Sequence, residues 1–175
     1  MNHKIKRIGL IGPESTGKTT LCEQLADHFK TVWVPEYARG YIEKLNRAYT
    51  IQDIELCANK QLEQEDALLQ KANHFIFSDS ELIVAKVWCE DVFKTCPEWI
   101  EKEIPERKYD LYLLTFPDLP FKEDPVRENP HRREYFFELY KSELEKRKFD
   151  FELVTGIGDA RFENALMAMT RMRNF

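Results

Sequence analysis

At 175 residues the chain is long enough for one domain with a sizeable core, and its 43% hydrophobic and 33% charged residues exclude a low-complexity or disordered polymer. A net charge of -5 lacks the basic excess with which polynucleotide binders neutralise phosphates, so a nucleic-acid partner is disfavoured. Cys22, Cys57, Cys89 and Cys96 form no CxxC pair and are not grouped with histidines, which argues against a zinc site or a disulfide framework and for buried, reduced thiols. The first residues lack the apolar core of a signal peptide, and no run approaches the roughly 18 apolar residues of a membrane span; a cytoplasmic location is expected.

Lys6 to Gly12 is a short apolar run ended by glycine, the pattern of a buried parallel strand. "GPESTGKTT" follows, and a helix from about Gly17 to Phe29 carries Leu21, Leu25 and Phe29 on one face. Gly12 to Thr19 match G-x-x-x-x-G-K-S/T with a strand before and a helix after. The glycines let backbone N–H groups turn inward around an anion, and the helix N-terminus adds about half a positive charge. Gly12, Pro13, Glu14, Ser15, Thr16, Gly17, Lys18, Thr19 and Thr20 are therefore expected to cradle a nucleoside triphosphate. Lys18 reaches its outer phosphates and Thr19 ligates Mg2+.

"TVWVPE" reads as a second strand, stopped by Pro35, with a short helix from Tyr37 to Arg47. Glu36, at the strand end, faces the acceptor side and can hold or deprotonate a substrate hydroxyl. Arg39, one turn on, pairs with Glu36 or holds phosphate. Thr50 and Asp53 form a capping box for a long helix to about Lys71. "HFIFSD" is the third strand; Asp79 at its end is the carboxylate that meets Mg2+. Ser80 is expected to cap the next helix, with Leu82, Ile83, Trp88 and Phe93 on it, and residues 97–108 form another helical piece.

"YDLYLLTF" is the fourth strand, and Pro117 to Pro130 form a proline-rich lid without periodicity. Within and after the lid, Asp124 is placed to bond substrate hydroxyls. Arg127, with Arg132 or Arg133 behind it, is placed to stabilise charge on a transferring phosphoryl group. Asn129-Pro130 is a cap and first-turn pair for a helix from His131 to about Arg147. "FDFELVTG" is the fifth strand. "TGIGDAR" can wrap an adenine edge and stack Arg161, and Asp159 is expected to cap the final helix, with Phe162, Ala165, Leu166 and Met169 on its buried face. Tyr37, Trp88 and Phe121 could stack on a planar substrate, but core packing is the expected role, above all for Trp88.

Strands alternating with helices imply an α/β P-loop NTPase fold: one domain over 1–175, a five-stranded parallel sheet with helices on both faces, and a lid at about 117–133. Ligands in such sheets gather at the carboxyl ends of the strands. No guanine-reading NKxD motif follows a strand, and the lid arginines suit a small-molecule kinase using ATP. The alternatives are a kinase of another nucleoside or of a polynucleotide 5′ end, and a regulatory ATP-binding module that transfers nothing.

"GPESTGKTTL", "VPEYAR", "FIFSDS" and "DLYLLTFPDLPFKEDPVR", in that order, resemble the AAA-type kinase domain of the NadR-type ribosylnicotinamide kinases, over about Ile5 to Ala165. The resemblance implies phosphorylation of nicotinamide riboside by ATP and Mg2+ to give nicotinamide mononucleotide for NAD synthesis. Lys18, Glu36, Asp79 and Arg127 would be catalytic, Thr19 and Asp79 would hold the metal, and Glu36, Tyr37, Arg39, Asp79 and Asp124 would lie at the acceptor. Full-length relatives add a nucleotidyltransferase domain and often a DNA-binding region, for which 175 residues starting at the P-loop strand leave no room, so neither function is expected here.

Overall fold

The computed structural model describes residues 4–123 and 131–172. Five parallel strands form one sheet: β1 (Lys6–Ile11), β2 (Val32–Val34), β3 (Phe75–Asp79), β4 (Leu111–Thr115) and β5 (Phe151–Val154), in the order β2-β3-β1-β4-β5. Helices α1 (Lys18–His28), α2 (Tyr37–Ile42), α3 (Ile51–Leu69), α4 (Leu82–Phe93), α5 (Glu98–Glu106), α6 (Arg133–Arg147) and α7 (Asp159–Thr170) connect and follow them. The parallel P-loop architecture expected from the alternation is present.

The pleat of β1 divides the core. Ile8 and Leu10 pack with Leu21 and Leu25 of α1 and with Ala165 and Met169 of α7. Ile11 packs on the other face with Ile83 and Val87 of α4 and with Phe137 and Leu144 of α6. Each of these side chains larger than alanine contributes roughly 1.5–3 kcal/mol by leaving water. On that second face Gly9 carries no side chain, and Tyr109 and Tyr112 fill the space: a Cβ at Gly9 would lie 3.2 Å from Tyr112 Cδ1 and 3.3 Å from Tyr109 Cγ.

Helix ends explain the small departures from expectation. The Thr50–Asp53 capping box of α3 forms as expected. Arg47 donates to Asp53 at 2.6 and 2.8 Å and the Tyr41 hydroxyl at 2.7 Å, which holds the Asp53 carboxyl well below its ordinary range. The chain accordingly leaves α2 at Ile42, short of Arg47, so that Arg47 can reach back to Asp53. At α4 the cap is Glu81 and not Ser80. Ser80 turns through φ 70, and the extended Glu81 accepts from Ile83 N with both carboxyl oxygens at 3.0 Å. Gly158, not Asp159, is the N-cap of α7; Asp159 is its first residue, where a carboxylate favours the helix dipole. Helix α6 starts at Arg133 rather than His131.

Lys86 of α4 is buried and meets Glu90 at 2.7 Å, Glu101 of α5 at 3.2 Å and Glu143 of α6 at 3.3 Å. Arg147 joins Glu143 at 3.2 Å and Glu101 closely, so the three helices share one ionic cluster. The four cysteines are free; Cys22, Cys57 and Cys89 are buried and Cys96 is half-buried.

Candidate active site

The turn after β1 is held open by backbone that only glycine or a strained residue adopts: φ is 152 at Gly12, 55 at Ser15 and 76 at Gly17. Any side chain at Gly12 would collide with the Thr115 hydroxyl at the end of β4, so the loop sits directly on that strand. Thr16 is buried beneath the loop. Its hydroxyl donates to Pro13 O at 2.8 Å and shares a hydrogen bond with Thr115 Oγ1 at 2.7 Å. Arg133 braces the outside, donating to Ser15 O at 3.3 Å and to Pro117 O and Leu119 O at 2.7 Å. Lys18 lies across the loop, its Nζ donating to Gly12 O and Pro13 O, each at 2.9 Å.

Asp79 ends β3 beside the first turn of α1, where Thr19 Oγ1 donates to its Oδ2 at 2.5 Å. The carboxylate is 1% exposed, and Oδ1 has no hydrogen-bond partner. Burial raises its pKa, with Lys18 and Thr19 opposing. A buried carboxylate oxygen left without a partner, next to a threonine hydroxyl, fits a hard divalent cation, which takes oxygen ligands. Among the described residues no group of three or more His, Cys, Asp or Glu side chains is placed to hold a metal ion.

Glu36 follows the end of β2 and stands at the N-cap position of α2 without using its side chain as a cap. Burial, then the nearby Asp79 carboxylate, pushes its pKa up to about 7. Gln61 of α3 ties the two carboxylate-bearing strand ends together. Its Oε1 accepts from Tyr37 N at 2.8 Å and its Nε2 donates to Asp79 O at 3.4 Å. Nothing in the sequence marks Gln61, which is one of several polar residues on a long helix.

The loop residues Gly12 to Thr20 and Glu36 and Arg39 line one cavity of about 670 Å3, with Ser80 between them and α4. Arg39 is also paired with Glu43 at 3.3 Å. The far wall is aromatic: Trp88 of α4 meets Tyr49 edge to face at 5.0 Å, with Phe136 of α6 nearby. Trp88 therefore departs from the expected core role. Ile83 and Val87 form the core stripe of α4, whereas Val84 and Trp88, one position on in each turn, face the cavity. Tyr49, in the loop before α3, is a wall residue that the sequence reading did not identify.

Other expected site residues lie elsewhere. The Tyr37 ring stacks on Tyr41 at 6.2 Å, outside the cavity lining. Phe121 lies under the Arg133 guanidinium at 6.0 Å. Arg132 forms a two-pronged pair with Asp91 at 2.5 and 2.9 Å and lies over Tyr135 and Phe136 at the cavity rim. Arg161 is buried and donates to Gly156 O, Val154 O, Phe116 O and Asp118; it clasps two loops and does not line the cavity. Asp124, Arg127 and Asn129-Pro130 fall outside the described residues.

Against known proteins, the AAA domain family matches residues 7–161. The trifunctional NAD biosynthesis/regulator protein NadR of Escherichia coli (strain K12) is 24% identical over 155 residues, covering 84% of this chain and 37% of the relative. The chain thus spans little more than a third of that protein's length. A crystal structure of NadR protein in complex with NR superposes with a TM-score of 0.78 at 20% identity, over 96% of this chain and 49% of that one. Thymidylate kinase from Ehrlichia chaffeensis superposes with a TM-score of 0.65 at 12% identity, over 94% of this chain and 97% of that one. At these identities the superpositions establish a shared fold.

Proposed function

Since the chain belongs to the AAA domain family, we propose that it is an ATP-dependent kinase that phosphorylates the ribose hydroxyl of a nucleoside, with nicotinamide riboside as the leading acceptor. The observation that carries the reading is a cavity lined by both the P-loop and Glu36, with Asp79 hydrogen-bonded to Thr19 beneath its wall. The resemblance of the four quoted motifs to the NadR-type kinases, and the nucleoside-sized space beyond the loop, support the acceptor.

The loop amides and the α1 N-terminus bind the polyphosphate, and Lys18 exchanges its two loop carbonyls for phosphate oxygens. Thr19 and Asp79 would hold Mg2+, which when bound would offset negative charge on the polyphosphate. Glu36 accepts the proton of the attacking hydroxyl. That oxygen bonds to the γ-phosphorus as the bond to the bridging oxygen breaks, and ADP leaves. Trp88 and Tyr49 offer aromatic faces to the base, and a pyridinium ring gains cation–π energy against them. Asp124 and Arg127 keep in this proposal the roles of substrate hydroxyl partner and lid cation.

Incubating the chain with ATP, Mg2+ and a nucleoside panel led by nicotinamide riboside tests the reading. The expected products are ADP and nicotinamide mononucleotide. Faster turnover of a different nucleoside, or of an oligonucleotide 5′ end, would replace the acceptor. ATP binding with no phosphorylated product would point to a regulatory module instead.

A further inference from the structure

Ser80 lines the cavity, and its side chain makes no hydrogen bond within the chain. It is 6% exposed. The hydroxyls around it are all engaged: Ser78 with Glu65 at 3.1 Å, Thr19 with Asp79, and Thr16 with Thr115. A buried hydroxyl without a partner is destabilising, and one kept on a cavity wall calls for a partner that the cavity supplies, a ligand or a water.

The backbone is also strained there. Six described non-glycine residues have positive φ. Lys30, His74, Lys94 and Lys148 stand at exposed ends of helices or strands, where such a turn is cheap. Ser15 and Ser80 are the two that line the cavity. At Ser80 the φ of 70 is enforced from both sides: its N–H is bonded to Leu10 O at 3.1 Å, and Glu81 is locked as the cap of α4. Glycine would adopt this turn without strain, so the side chain is kept at a conformational cost.

The register indicates what it serves. β2 and β3 pair Val34 with Ser78, and Glu36 and Ser80 each lie two residues beyond that pair, at the carboxyl ends of adjacent strands. Glu36 is the group assigned to the attacking hydroxyl. A sugar hydroxyl both donates and accepts, and so does serine. Resting on the kinase reading above, we propose that Ser80 is a substrate-contacting residue whose hydroxyl bonds a sugar hydroxyl of the acceptor beside Glu36.

The test compares the native chain with Ser80→Ala and Ser80→Gly, using nicotinamide riboside or the best nucleoside of the panel. Ser80→Ala is expected to lower kcat/KM for the acceptor by about 10-fold, the scale of one neutral hydrogen bond, with KM for ATP unchanged. Ser80→Gly is expected to show the same loss with a raised Tm, because the left-handed turn is relaxed. Calorimetric binding of 2′-, 3′- and 5′-deoxy analogues identifies the contact: for one of the three, native chain and Ser80→Ala should bind alike. An active native chain matched by Ser80→Ala overturns the assignment alone. A loss that falls on KM for ATP, or one that persists with all three analogues, overturns it too. A native chain that phosphorylates no nucleoside removes the kinase reading and this assignment with it.

Discussion

Glu36 is the side chain whose chemistry is most tied to its surroundings. With its pKa pushed up to about 7 by burial and by Asp79, it is shared near neutrality between proton donor and proton acceptor. If it takes the hydroxyl proton, kcat/KM for the acceptor should rise with pH through about 7 and then level. In Glu36→Gln the profile should be flat and about 100- to 10,000-fold lower, the range for loss of a general base. A native profile without an inflection near neutrality would assign the proton elsewhere. The placement of Lys18 and Thr19 was legible because a P-loop ties residue identity to backbone geometry within a few positions, and that of Asp79 because it ends an apolar run of strand length. Gln61 and Tyr49 were not: their roles depend on contacts with segments far along the chain, at Tyr37 and Asp79 for one and at Trp88 for the other.

Helix α4 shows the same limit at the level of the element. Its existence was readable from Leu82, Ile83 and the strand before it. Its cap was not, because a serine beside an aspartate is the more obvious cap than the glutamate that follows. It also carries two apolar stripes, and nothing in its period says which one is the core. The cap itself carries a pH signature. Burial lifts the Glu81 carboxyl from its ordinary 4.5 to about 8, so the fold retains a proton that the unfolded chain releases above about 4.5. Its contribution to stability is therefore lost as pH climbs from 4.5 towards 8. Glu81→Gln imitates the protonated cap at every pH. Thermal melts should find the two proteins alike at pH 5 and the variant higher at pH 8; a native chain that melts at or above the variant at pH 8 would show that the carboxylate is the better cap.

For the whole molecule, the class and parallel sheet followed from alternation, since each apolar run of strand length is succeeded by a helical period. The order of the strands did not follow, because buried strands such as Phe75–Asp79 and Leu111–Thr115 look alike from the sequence. Nor did the ionic cluster around Lys86, whose members come from three different helices. If the P-loop binds polyphosphate, Mg-ATP at 100 times its Kd should add about 2.7 kcal/mol of stability. For a chain of this size that raises Tm by about 5–10 °C. Lys18→Ala should lose most of that rise while its circular dichroism stays native, because Thr16, Thr115 and Arg133 still hold the loop. A variant that keeps the full rise would take Lys18 out of the binding site. The sheet order bears finally on how the chain is made. β1 is the first of the five strands to leave the ribosome, yet its partners begin near Phe75 and Leu111. Its two hydrogen-bonding edges must wait through the synthesis of roughly sixty and roughly a hundred residues, a high-contact-order arrangement that favours slow, late closure over stepwise folding. Nascent chains halted before β4 should accordingly be the ones that recruit chaperones.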